Sequence, residues 1–101
     1  MAKTSYKLSD IAEDDISAIF DYTATHYGRD QAIRYLTGID DRLNFLLAHP
    51  EIGKERPDIR QGLRSLIYEH HIIFYRHQSD YLRIIRVLHE SSDMPRFLRD
   101  G

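Results

Sequence analysis

The hydrophobic pattern changes period twice along this chain. Thr4–Leu8 alternates, with Tyr6 and Leu8 on one face, and predicts a short opening strand. Ala12, Ile16, Ile19, Phe20, Thr23 and Tyr27 then recur at helical spacing. A second helical stripe follows in Ile33, Leu36, Ile39, Leu43, Leu46 and Leu47, up to His49-Pro50. Beyond Gly62 the period returns to two. Leu63–Tyr68, His71–His77 and Tyr81–His89 are rich in Ile, Leu, Val, Phe and Tyr, which suit a pleated, half-buried surface. Glu69-His70 and Gln78-Ser79-Asp80 interrupt these runs as hairpin turns do.

The boundaries carry their own signals. Ser9 or Asp10 stands where a cap is needed, and Glu13, Asp14 and Asp15 place acid in the first turns, where the helix dipole favours it. Gly28 supplies the left-handed residue that ends the first helix, and Asp30 a cap for the second. With so little chain between them, two helices of about 27 Å each must form an antiparallel hairpin. Gly38 interrupts the second helix at a cost of about 1 kcal/mol relative to Ala, which points to close packing between the helices. Glu51–Gln61 is polar, with Gly53 and Pro57, and reads as a loop.

The order β–αα–βββ predicts an α+β fold, a small, mainly antiparallel sheet packed against one helical hairpin, in a single domain over residues 1–101. Strict alternation puts His71, Ile73, Tyr75 and His77 on one side and Ile72, Phe74 and Arg76 on the other. It likewise separates Leu82, Ile84, Arg86 and Leu88 from Arg83, Ile85, Val87 and His89. Both faces are therefore partly apolar, and the hairpin covers only one. The other needs the C-terminal tail (Met94, Phe97, Leu98) or a partner.

Composition narrows the function. The chain has no cysteine, which excludes a disulfide framework and thiolate chemistry. MAKTSYKLSD lacks an apolar signal core, and no run approaches the roughly 20 apolar residues of a membrane span. A cytoplasmic protein with no membrane partner is expected. Residues 1–55 hold six basic and ten acidic side chains, whereas residues 56–101 hold eight arginines and six acids. Such arginines suit anions, but a pI near 6.3 is not that of a protein built to grip a nucleic-acid backbone. No direct sequence-specific nucleic-acid binding is expected, and a protein partner is.

Several segments stand in order from Tyr6 to Leu98. They begin with Tyr6-Lys7-Leu8-Ser9, Ala12-Glu13-Asp14-Asp15-Ile16, Ile19-Phe20-Asp21-Tyr22, then Ala32, Tyr35, Leu36 and Leu43. Ala48-His49-Pro50-Glu51-Ile52-Gly53 and Arg60-Gln61-Gly62-Leu63-Arg64-Ser65 follow. The last are His71-Ile72-Ile73-Phe74-Tyr75-Arg76, Ile84-Ile85-Arg86-Val87-Leu88-His89 and Asp93-Met94-Pro95-Arg96. No piece is specific alone, but the ordered set resembles the RelE/ParE superfamily of toxin–antitoxin toxins, and its ParE branch in particular. The resemblance implies a toxin neutralised by a ParD-like antitoxin whose C-terminal segment wraps it. It also implies a target, DNA gyrase (its A subunit), trapped while DNA is cleaved, so an inhibitor with no cofactor and not an enzyme. Relatives of RelE type instead cut messenger RNA on the ribosome. One departure stands out: the arginine pair common in the branch after His89 is here Ser91-Ser92. A RelE-like ribosome-dependent endoribonuclease and a toxin-derived module that only binds its antitoxin are the alternatives.

The candidate residues follow from these readings. Arg64, Arg86 and His89 would supply the cations and acid–base group that RNA cleavage needs. Against that role, no lysine follows Lys54 and no tyrosine follows Tyr81. His71 and His77 share a face but lie about 20 Å apart along a strand, too far for a shared metal. An open sheet face and a free first-strand edge would offer Tyr6, Leu8, Ile73, Tyr75, Ile85 and Val87 to the antitoxin. Arg64, Arg86, Arg96 and Arg99 are the expected target contacts. Tyr22, Tyr27 and Tyr35, at helical spacing, read as core or hairpin packing.

Overall fold

The computed structural model describes residues 5–78 and 80–98, the side chain of Phe97 excepted. Its elements are β1 (Ser5–Leu8), α1 (Asp10–Tyr27), α2 (Arg29–Ala48), β2 (Lys54–Glu55), β3 (Leu63–Tyr68), β4 (His71–His77), β5 (Tyr81–His89) and α3 (Met94–Leu98). The last three strands coincide with the three alternating runs. β2 is a correction to the expected loop: two residues pair with Arg64 and Ser65 and form one edge of the sheet. The strand order is β1-β5-β4-β3-β2, with β1 parallel to β5 and the other pairs antiparallel.

Ser9 caps α1, its Oγ accepting the Ala12 N–H at 3.0 Å. Gly28 closes α1 and opens α2 at φ +93°, a region other residues rarely enter. Asp30 lies in the first turn of α2 and makes no side-chain cap, because Gly28 already holds the cap position. A Cβ at Gly38 would overlap the Tyr68 hydroxyl reaching over from β3. The glycine therefore makes room for a strand side chain rather than for the other helix.

Two apolar layers sandwich the sheet. On the hairpin side Ala12, Ile19, Ile39, Leu43 and Leu46 pack on Ile73, Tyr75, Leu82, Ile84 and Val87. Each Ile, Leu or Val among them contributes about 1.5–3 kcal/mol when fully buried. On the opposite side Leu63, Phe74, Ile85 and Leu88 lie beneath Leu98, with Ile59 and Met94 packed alongside. The chain thus covers its own second face with α3 and the segment before β3, as one of the two sequence-based options required.

β5 departs from strict alternation. Phe74 pairs with Arg86 but Tyr75 pairs with Ile84, which leaves Ile85 as the extra residue of a β-bulge. The bulge puts Leu82, Ile84 and Val87 in the hairpin-side core and Ile85 and Leu88 on the other side. Alternation had grouped Ile85 with Val87 and Ile84 with Leu88. The edge beyond Ile84 is also handled locally. β1 pairs only with Tyr81–Ile84, and α1 takes over where β1 stops. Ser9 N–H donates to Ile84 O at 3.0 Å, and Ser9 Oγ donates to Ile85 O at 2.8 Å. Asp15 Oδ2 accepts the Val87 N–H at 3.0 Å. A helix turn thereby satisfies an edge that would otherwise be open to pairing with another chain.

Candidate partner-binding cleft

Four of the six residues assigned to antitoxin contact are core. Ile73 and Tyr75 are 0% exposed, Val87 2% and Ile85 6%, so none of them presents a surface. The helical hairpin covers Ile73, Tyr75 and Val87, and α3 with Ile59 covers Ile85, so neither sheet face is the open one the sequence suggests. Tyr6 and Leu8 are half-buried at the β1 edge, and the Tyr6 hydroxyl donates to Asp40 Oδ1 at 2.7 Å. Burial and that carboxylate push the phenol up to about 12.

Two proposed target contacts are taken up within the fold. Arg64 Nη1 donates to the carbonyls of Glu51 at 3.0 Å and Gly53 at 2.8 Å, pinning the turn before β2. Arg86 Nε and Nη2 bind the two oxygens of Asp15 at 2.8 and 2.9 Å. That hydrogen-bonded carboxylate raises the guanidinium's already high pKa. Arg96 is exposed on α3, and Arg99 lies outside the described residues. His89 does not converge with Arg64 and Arg86 on one site: its Nδ1 accepts the Ser91 N–H at 3.1 Å and meets Ser91 Oγ at 2.8 Å. Ser91 therefore closes this turn.

What the molecule leaves open lies elsewhere. A cleft of about 1160 Å³ runs between the helical hairpin and the β3–β4 turn with the end of β5. Tyr22, Tyr27, Tyr35 and Tyr68 line it together with His71 and His89. Tyr22 is 58% exposed and Tyr27 69%, so these two are not the core residues that helical spacing predicts. Their spacing placed them on a helix flank, but only the tertiary fold shows that the sheet stops short of them. Tyr35 packs edge-on against Tyr68 at 5.1 Å, and its hydroxyl lies 2.6 Å from His71 Nδ1. Rigid, half-wet aromatic side chains bury large areas at little entropic cost, which is why they dominate binding surfaces.

His71 gives the cleft a pH signature. Burial, then the neighbouring His89 and His70, lower its pKa to about 4, while Glu90 and Asp15 pull weakly the other way. The unfolded chain takes up that proton near the ordinary histidine value and the folded chain only near 4. The associated stability is therefore complete above about 6.5 and is lost as pH falls toward about 4. The urea midpoint is expected to fall through this window, and His71→Gln should flatten the upper part of the fall, before carboxylates titrate. An unchanged pH profile in the variant would show that His71 is not the source.

A five-stranded sheet backed by a helical hairpin, with an aromatic cleft at their margin, defines the architecture. The chain belongs to the ParE toxin family of type II toxin–antitoxin systems, whose family model, "ParE toxin of type II toxin-antitoxin system, parDE", matches residues 6–94. It is 35% identical over 94 residues to Toxin ParE1 of Mycobacterium tuberculosis, covering 92% of this chain and 96% of that one. Toxin ParE1 of Caulobacter vibrioides is 33% identical over 86 residues, covering 85% and 88%. A solved structure described as a chromosomal ParDE TA system from P. aeruginosa shares the fold, with a TM-score of 0.74 over 85% of this chain and 95% of that chain at 24% identity. Among the described residues no helix is long and apolar enough to cross a membrane.

Proposed function

We propose that this ParE-family toxin acts in the cytoplasm by binding DNA gyrase through its A subunit and trapping the enzyme while DNA is cleaved. A ParD-like antitoxin neutralises it by laying an apolar segment into the tyrosine-lined cleft. The observation that carries the reading is the family match across nearly the whole chain. Inhibition by binding, rather than catalysis, is supported by the engagement of Arg64 with carbonyls and of Arg86 with Asp15. An RNA-cutting site would need those cations free to stabilise a charged transition state. The reading is tested with the purified chain, gyrase, relaxed and supercoiled plasmid and ATP. Lost supercoiling together with linear DNA trapped on the enzyme is the expected result. Normal supercoiling by active gyrase in the presence of folded toxin would sink it.

The cleft assignment has its own test. Tyr22→Ala with Tyr27→Ala should weaken the antitoxin complex by roughly 1–3 kcal/mol, because exposed tyrosines gain most of their burial on binding. The melting temperature of the free toxin should barely move. Wild-type affinity in the double variant would place the antitoxin elsewhere.

A further inference from the structure

The register of the sheet lines up three cations. Arg76 of β4 stands opposite Arg83 of β5, and Arg83 stands opposite Lys7 of β1. All three project from the face away from the hairpin, since their neighbours Tyr75, Leu82 and Tyr6 belong to the hairpin-side layer. At roughly 4.8 Å between strands the row spans about 10 Å. Among the described residues none of the three is in an ion pair or a side-chain hydrogen bond; the ion pairs there use Arg56, Arg64, His70 and Arg86. The Lys7 ammonium instead sits 4.4 Å from the centre of the Tyr81 ring. Arg76 lies over Gly62, where a Cβ would come within 3.6 Å of its Nη2.

Like charges directly opposite one another destabilise a sheet. Lys7 and Arg83 are exposed, so no core packing offsets that repulsion. On the segment that packs over the same side, Arg60 also holds a buried Nη1 with no partner. Among the described residues Lys7, Arg60, Arg76 and Arg83 on this side of the sheet thus have no carboxylate partner. The hairpin on the other side carries eight of the sixteen acidic residues, so a polyanion meets repulsion there and attraction here.

We propose that Lys7, Arg83 and Arg76 form a seat for the phosphodiester backbone of DNA. The inference rests on the reading of the chain as a gyrase poison and deepens it: the toxin touches the DNA that gyrase holds as well as the enzyme. Phosphate contacts carry no base sequence, and on a chain with a pI near 6.3 they rest on this local row of cations and not on the overall charge. The row positions a strand across β4, β5 and β1, and Tyr81 beside Lys7 holds the ammonium in place.

The test is anisotropy of a labelled DNA duplex titrated with the full chain over a salt series, with no gyrase present. Three phosphate contacts predict a slope of log affinity against log salt of about −2.7, and Lys7→Ala with Arg83→Gln should bring it to about −0.9. Arg83→Gln alone should leave the urea midpoint equal or higher, because it relieves repulsion. No duplex binding at low salt, an unchanged slope in the double variant, or a lowered midpoint in Arg83→Gln would each overturn the proposal. Binding of polyglutamate through the row, with no binding of DNA, would overturn it in favour of an acidic protein partner. The two readings fail separately. A chain that binds duplex through the row yet leaves gyrase untouched loses the gyrase reading alone. A double variant that binds DNA and poisons gyrase like the parent loses this inference alone.

Discussion

Gly53→Ala is expected to lower the stability of this toxin by about 3 kcal/mol, one of the largest effects available from a single added methyl group. The Cβ would overlap the hydroxyl and ring of Tyr75, whose side chain is 0% exposed and has nowhere to retreat. That hydroxyl accepts the Gly53 N–H and donates to Pro50 O, both at 2.9 Å. His77 Nε2 donates to the same Pro50 carbonyl at 2.7 Å. The segment from the end of α2 to β2 is thus locked onto β4 by one buried phenol. Tyr75→Phe should cost about 1–3 kcal/mol, because a buried N–H and a buried carbonyl each lose a partner. The discriminating experiment combines the two. With the hydroxyl gone, the nearest clashing atom is gone, so Gly53→Ala should cost clearly less in the Tyr75→Phe background. Strict additivity in urea unfolding would mean that the glycine and the phenol are not coupled, and that the lock is misassigned.

This lock shows which parts of the molecule are readable from the chain and which are not. Period-two runs located β3, β4 and β5 because each strand has a half-buried pattern of its own. The Ser9 cap and the Gly28 break were equally local, and both are where the sequence puts them. Tyr75 reads from the sequence as a contact on an open face, whereas it is buried, and its hydroxyl partners are 22 and 25 positions away, where no local period reveals them. The bulge at Ile85 is a property of the pairing between β4 and β5, so alternation on β5 alone sent Val87 and Ile85 to the same face. The cleft was missed for a related reason. Tyr22 and Tyr27 have ordinary helical spacing, and only the ends of the sheet decide that they stay exposed. The row of Lys7, Arg83 and Arg76 draws on strands from both ends of the chain and exists only once β1 pairs in parallel at the β5 edge. Chemistry that depends on register is not legible before the register is known.

Asp15→Ala is the second change expected to be severe, at about 3 kcal/mol. Asp15 was legible only as one of several acids in the first turns of α1, where a dipole contribution of about 0.3–1 kcal/mol is ordinary. In the fold it does more. Its carboxylate receives both Nε and Nη2 of Arg86 and the backbone N–H of Val87, on the stretch of β5 that β1 leaves unpaired. The two side chains are only 13% and 14% exposed, so removing the acid takes the carboxylate away from a largely desolvated cation and from a strand N–H together. Arg86→Met, which keeps the aliphatic stem and removes the charge, leaves a carboxylate that still accepts from Val87 and should cost less. The double variant should be more stable than the sum of the single losses predicts, with a coupling above about 1.5 kcal/mol. The same variants decide whether Arg86 touches the target. On the proposed gyrase reading, Arg86→Met, assayed at a temperature where it is fully folded, should trap gyrase to the same extent as the parent chain. A folded Arg86→Met protein that no longer traps gyrase would move Arg86 from the scaffold to the target surface, and a coupling near zero would remove the ion pair as the reason for its burial.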